Sequence, residues 1–173
     1  NFDYVCHTAS FMLYYFFCQG DFMKEILAPN PVTQFDNSLF LAGSIDMGNA
    51  ENWQQRLVTD LEHCEGIILN PRRTDWDSSW EQSINNPQFN EQVTWELDGL
   101  TKANTIFFYF DPNGLAPITL MELGYVIQKN NIIVCCPDGY WRKGNVEIIC
   151  NRHGITVHNT YEDALADLFK YFS

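Results

Sequence analysis

Positive charge is scarce in this chain: 10 Lys and Arg stand against 22 Asp and Glu, a formal charge of −12 over 173 residues. A phosphate backbone or an anionic bilayer wants a basic face, so the balance argues against a nucleic-acid polymer or a membrane surface as partner. Long apolar runs are also lacking. The stretch 11–18 is apolar for eight residues only, too short to span a bilayer, and no basic segment precedes it as a signal peptide requires. Neither GxGxxG nor a P-loop occurs, which removes the usual dinucleotide and nucleoside-triphosphate fingerprints. Six cysteines include no CxxC pair, and the four histidines are scattered, so no metal-ligand spacing is present. Thiols of this kind, with no export signal, lead to the expectation of a cytoplasmic protein.

What is present is a globular composition, with 46% apolar and only 18% charged residues. Short continuous apolar runs at 38–42, 66–69, 105–110, 131–136 and 155–157 read as buried strands. Between them lie helical patterns. Asn52 is placed to cap a helix through about residue 64, and Asn86-Pro87 opens another reaching about residue 103. Pro117 begins a third, residues 146–152 a fourth, and residues 161–172 form a closing amphipathic helix. Alternation of this kind predicts an α/β fold: a flavodoxin-like, doubly wound, parallel five-stranded sheet with helices on both faces. Residues 1–37 are expected to be an N-terminal extension, in part outside the core fold, with Met23 as a plausible beginning. Residues 38–173 are expected to form the domain.

Ligands in such sheets bind at the carboxyl ends of the strands. Four segments should converge there: 43–48, 70–80, 111–118 and 137–145. The first carries Gly43, Ser44 and Asp46. The second carries Asn70, Arg72, Arg73, Asp75, Trp76 and Asp77, and the fourth Tyr140, Trp141, Arg142, Lys143 and Asn145. Four of the ten basic residues thus fall in two loops, a local reversal of sign suited to a small anion, while the aromatic faces suit a planar base. The competing reading is a solvated rim in which these cations meet neighbouring carboxylates. The third segment leads to Glu122, early in its helix among apolar neighbours. Glu96 shares a helical stripe with Phe89 and Val93 and is expected to point inward, and a partly buried carboxylate needs a reason. Two carboxylates on adjacent helices, near loops fit for a base, suit glycosyl transfer: one attacks an anomeric carbon and a second group handles the proton.

Three motifs then stand in order: Leu39-Phe40-Leu41-Ala42-Gly43-Ser44, Trp95-Glu96-Leu97-Asp98-Gly99-Leu100 and Met121-Glu122-Leu123-Gly124-Tyr125. With Asn70-Pro71-Arg72-Arg73 and Gly139-Tyr140-Trp141-Arg142-Lys143-Gly144-Asn145, the chain resembles the "like" branch of the nucleoside 2-deoxyribosyltransferase family over about residues 38–158. The resemblance implies Glu122 as nucleophile and Glu96, with Asp98 as second choice, as the acid that places the sugar or moves protons. It implies no metal and no cofactor. The expected ligands are a nucleoside or nucleotide and a free nucleobase. It also implies a homo-oligomer in which Asn145 completes a neighbour's site. Gly43, Ser44, Asp46, Asn70, Arg72, Asp75, Trp76, Asp98, Trp141, Arg142 and Asn145 are the expected substrate contacts. Members commonly carry an aspartate six residues before the nucleophile; here that position is Ala116, and Asp46, Asp75, Asp77 and Asp111 are the acids placed to substitute. Two other functions remain open at this point. One is a phosphate-recognising N-glycosidase or hydrolase of an ADP-ribose-like ligand, the other a non-catalytic nucleotide-binding module.

Overall fold

The computed structural model describes residues 22–44, 52–129 and 131–172. Both the apolar run 11–18 and Asp46 lie outside the described residues. Six strands form one all-parallel sheet: β1 (Lys24–Leu27), β2 (Ser38–Gly43), β3 (Ile67–Asn70), β4 (Thr105–Tyr109), β5 (Ile132–Cys135) and β6 (Val157–His158). Their order is β1-β3-β2-β4-β5-β6, so the winding reverses between β2 and β4. A flavodoxin-like layout binds its ligand at that crevice.

One strand more is present than the five expected. β1 pairs in parallel along β3, from Lys24 opposite Ile67 to Leu27 opposite Asn70. Its first two residues are charged, as suits an exposed edge, which is why the sequence Lys24-Glu25-Ile26-Leu27 does not read as a buried run. Ile26, Val32 and Phe35, all ahead of residue 38, pack on the core.

The helices are α1 (Trp53–Asp60), α2 (Pro87–Lys102), α3 (Pro117–Val126), α4 (Lys143–Arg152) and α5 (Tyr161–Phe172). Side chains alternate across each strand and separate the core into two layers. On one side, Phe40, Ala42, Leu69, Phe108 and Val134 meet Leu100 of α2, Leu123 of α3 and Val146 of α4. On the other, Leu39, Leu41, Ile68, Phe107 and Ile133 meet Trp53 and Leu57 of α1 and Leu168 of α5. Gly99 lets α2 lie close on the sheet, since a Cβ there would stand 2.4 Å from the Phe40 ring. Asn86 caps α2 by accepting from the backbone N–H of Gln88 and Phe89, and Asn52 caps α1 through the N–H of Gln55. Among the described residues no helix is long and apolar enough to cross a membrane.

Candidate active site

A cavity of about 630 Å³ opens at the carboxyl ends of the strands, beside the reversal between β2 and β4. That volume lies within the roughly 300–1,000 Å³ of small-molecule sites. Its floor is the end of β2, from Phe40 to Ser44. One wall is α2, through Phe89, Gln92, Val93, Glu96 and Leu97. The opposite wall is the start of α3, through Ala116, Ile118, Met121 and Glu122, and Trp76 closes one side. The α2 residues follow the spacing i, i+3, i+4, i+7, so one helical stripe supplies the wall.

Glu122 is 8% exposed. Among the described residues no cation or hydrogen-bond donor meets its carboxylate. Burial, and next the charge of Glu96, push its pKa up to about 8. Glu96 faces it from α2, half-buried. Burial raises its pKa too, opposed by a hydrogen bond that its Oε1 accepts from Gln92 Nε2 at 2.8 Å. The two carboxyls therefore interact as a pair, and in the free protein the pair keeps a proton to about pH 8.

Two further polar groups stand unpaired at the cavity. The Oγ of Ser44 and the Oε1 of Gln92 are buried with no hydrogen-bond partner among the described residues. Buried polar atoms are nearly always paired, so these two are exceptions that need a reason.

Of the expected substrate contacts, the structure brings Gly43, Ser44 and Trp76 to one cavity with the expected catalytic pair Glu96 and Glu122. Gly43 has a packing reason to be glycine, because a Cβ would stand 2.6 Å from the Tyr109 carbonyl oxygen. The others lie elsewhere. Asn70 sits beside the cavity but spends its amide on Glu25 Oε1 at 2.7 Å, and its Oδ1 accepts from the N–H of Arg72. Arg72 donates to Asn52. Asp75 is exposed and holds the Arg73 guanidinium through both carboxylate oxygens. Arg73 also reaches Glu91 and covers the Trp80 ring at 5.1 Å, fastening the loop 71–86 to α2. Asp98 is exposed on α2 and bound to Lys102 at 2.8 Å, because two positions beyond Glu96 is nearly the opposite side of a helix. Arg142 lies over Trp141 at 4.0 Å, and Asn145 is exposed on α4.

Trp141 acts on the site from outside. Its Nε1 and the Tyr140 hydroxyl both donate to the Leu115 carbonyl, at 3.0 and 2.9 Å. They hold the chain just before Ala116, which takes a left-handed φ of 44° and turns into α3. Ala116, the noted departure six residues before Glu122, lines the cavity. None of Asp75, Asp77 and Asp111 lines it in exchange, and Asp111 Oδ1 instead accepts from the Asn113 N–H at 2.8 Å. Gln92, Asn113 and Thr119 are lining residues that the motifs do not single out. Gln92 was within reach of periodicity, standing one turn before Glu96 on the same stripe.

The family model described as nucleoside 2-deoxyribosyltransferase like matches residues 36–140, more than half of the chain and both carboxylates. The chain belongs to this family. The match ends before Trp141, Arg142 and Asn145. No curated protein matches the chain. In this chain, the floor, the two helical walls and the paired glutamates are the candidate centre for a glycosyl-transfer-related function.

Proposed function

We propose that the protein transfers the 2-deoxyribosyl group of a deoxynucleoside by retaining double displacement, with Glu122 as nucleophile and Glu96 as proton carrier. The observation that carries this reading is the pair of unneutralised carboxyls facing one nucleoside-sized cavity. Binding moves the pair's proton from Glu122 to Glu96. The Glu122 carboxylate then attacks C1′, the C1′–N bond breaks, and its electron pair goes to the base nitrogen, which takes the proton from Glu96. A second base, or water, attacks C1′ of the glutamyl ester. The ester bond returns its electrons to Glu122, and the acceptor's proton passes to Glu96. Positive charge developing on the sugar is stabilised by the carboxylate beneath it.

Trp76 and Phe89 offer aromatic faces for the base. A neutral nucleoside suits the cavity better than a nucleotide, since no Lys or Arg is among its described lining residues and residues 45–51 contain none in sequence. Asn145, exposed and away from the cavity of its own chain, is free to serve a second copy of the protein, and we take the active form to be a homo-oligomer. The test is incubation with deoxyinosine, thymidine and a deoxynucleoside monophosphate, with and without a free acceptor base, followed by chromatography. Base exchange from the neutral nucleosides is expected. Intact nucleosides in every reaction would overturn the reading.

A further inference from the structure

Gln92 is 3% exposed and sits on α2 one turn before Glu96. Its Nε2 donates to the Pro71 carbonyl at 2.7 Å and to Glu96 Oε1 at 2.8 Å. Both amide protons are thereby used. The amide cannot be turned over, because its own oxygen would then face two acceptors. The same orientation leaves Oε1 buried and without a partner among the described residues. An orphaned buried carbonyl costs stability, and an unbranched apolar side chain such as Met would fill the space without that cost. The amide's donor is therefore what the position requires.

That donor acts on one oxygen of one catalytic group. Pro71 directly follows β3, so its carbonyl is a fixed point on the sheet, and Gln92 ties the Glu96 carboxyl to it across the helix. An unrestrained glutamate has three rotatable bonds and two equivalent oxygens. A donor held on Oε1 restrains the rotation and makes the two oxygens inequivalent, since Oε1 already accepts a hydrogen bond and Oε2 does not.

We propose that Gln92 is a positioning residue that occupies Glu96 Oε1 from the Pro71 anchor, so that Oε2 is the oxygen exchanging the proton with the nucleobase. The inference rests on the role given to Glu96 above. The proton leaves Oε2 as the C1′–N electron pair arrives on the base nitrogen, and in the second half-reaction Oε2 takes the acceptor's proton back.

The test is a double-mutant cycle in the full chain with Gln92→Met and Glu96→Gln, following deoxynucleoside turnover. Gln92→Met should lower kcat by roughly 10- to 100-fold with KM changed less than about threefold. In the Glu96→Gln background the same substitution should cost less than about twofold. Equal losses in both backgrounds would show a merely structural role and overturn the proposal, as would full activity of Gln92→Met. Should Gln92→Met not fold, Gln92→Asn retains the amide but withdraws Nε2 by one bond length, and the same cycle applies. Carboxyl ¹³C NMR of glutamate-labelled protein separates this inference from the reaction itself. If the wild type turns over no nucleoside, the proposed reaction fails, and Gln92→Met must still move the Glu96 resonance. An unmoved resonance would overturn the positioning role.

Discussion

Two sets of charges gather at the same end of the sheet and are treated in opposite ways. Two of the four loop cations are met by acids. Arg73 holds Asp75 and Glu91, and Lys143 lies against Asp138 and Glu147. The carboxyls of Glu96 and Glu122 face a cavity with no cation among its described lining residues. A folding chain that can pair Arg73 twice has the means to neutralise a glutamate, so the unpaired pair is kept at a cost. Burial without a partner penalises the charged form and holds a proton near neutrality, which a structural ion pair would not do. The charge that stands out in sequence, the basic loops, is structural where its partners are seen, and the proposed chemistry falls to the acids that no cation meets.

The largest effect that would break this contrast is at Glu122. Glu122→Gln should lower turnover by about a thousandfold or more while leaving the fold intact. It should also stabilise. The folded protein holds a proton on Glu122 up to about pH 8, against an ordinary value of 4.5. Between those values the unfolded chain binds fewer protons than the folded one, so stability falls as pH rises. The Glu122→Gln gain in Tm should therefore be absent below about pH 4.5, grow across that window and be full above pH 8. A gain independent of pH would remove the case for an uncompensated carboxyl.

Glu96→Gln comes next and separates the two acids. In the wild type kcat/KM should decline as pH rises through about 8, where the pair loses its proton. Without Glu96 the general acid is lost, and kcat should fall roughly 100-fold. Removing the neighbouring charge also lowers the Glu122 pKa, so the remaining activity should instead rise with pH and level off as Glu122 ionises. Wild-type and variant profiles of the same shape would mean that the two carboxyls do not share a proton.

These outcomes bear on how far residues can be read without coordinates. The run 105–110 and the Asn86-Pro87 cap were legible because burial on both faces and an N-cap each leave a local pattern. β1 was not, since an edge strand of four residues with charges on it has no such pattern. In the site, Glu96 and Glu122 were legible as acids on apolar helical stripes. The loop residues were assigned to the right end of the sheet, but the direction of a loop side chain depends on partners distant in sequence. Arg73 turns to Glu91, eighteen positions on, and Trp141 to Leu115. Periodicity describes helices and strands and is silent about such pairings. Gln92, on the Phe89–Val93–Glu96 stripe, was within reach of periodicity and was still missed, because the motifs drew attention to charge and not to an amide.

Arg73 should give a smaller effect, and one of a different kind. Its guanidinium fastens the loop that carries Trp76 to the cavity, so Arg73→Ala should raise KM roughly three- to tenfold through a misplaced ring, with kcat little changed. Stopped-flow fluorescence of Trp76 on base binding would report the looser loop. A fall in kcat at unchanged KM would mean that Arg73 acts on the reacting centre, and the division between structural cations and chemical acids would be wrong.

The smallest effect belongs to Arg142. Its guanidinium covers the Trp141 ring and does not line the cavity. A cation that read a 5′-phosphate would contribute a charge-assisted bond to the nucleotide and nothing to the nucleoside. A cation that shields an indole face contributes equally little to both. Arg142→Ala should therefore leave kcat/KM within about twofold for deoxynucleoside and monophosphate alike. A loss confined to the monophosphate would place a phosphate beside α4. It would turn the basic loops back into a binding surface, and a neutral nucleoside would no longer be the better substrate.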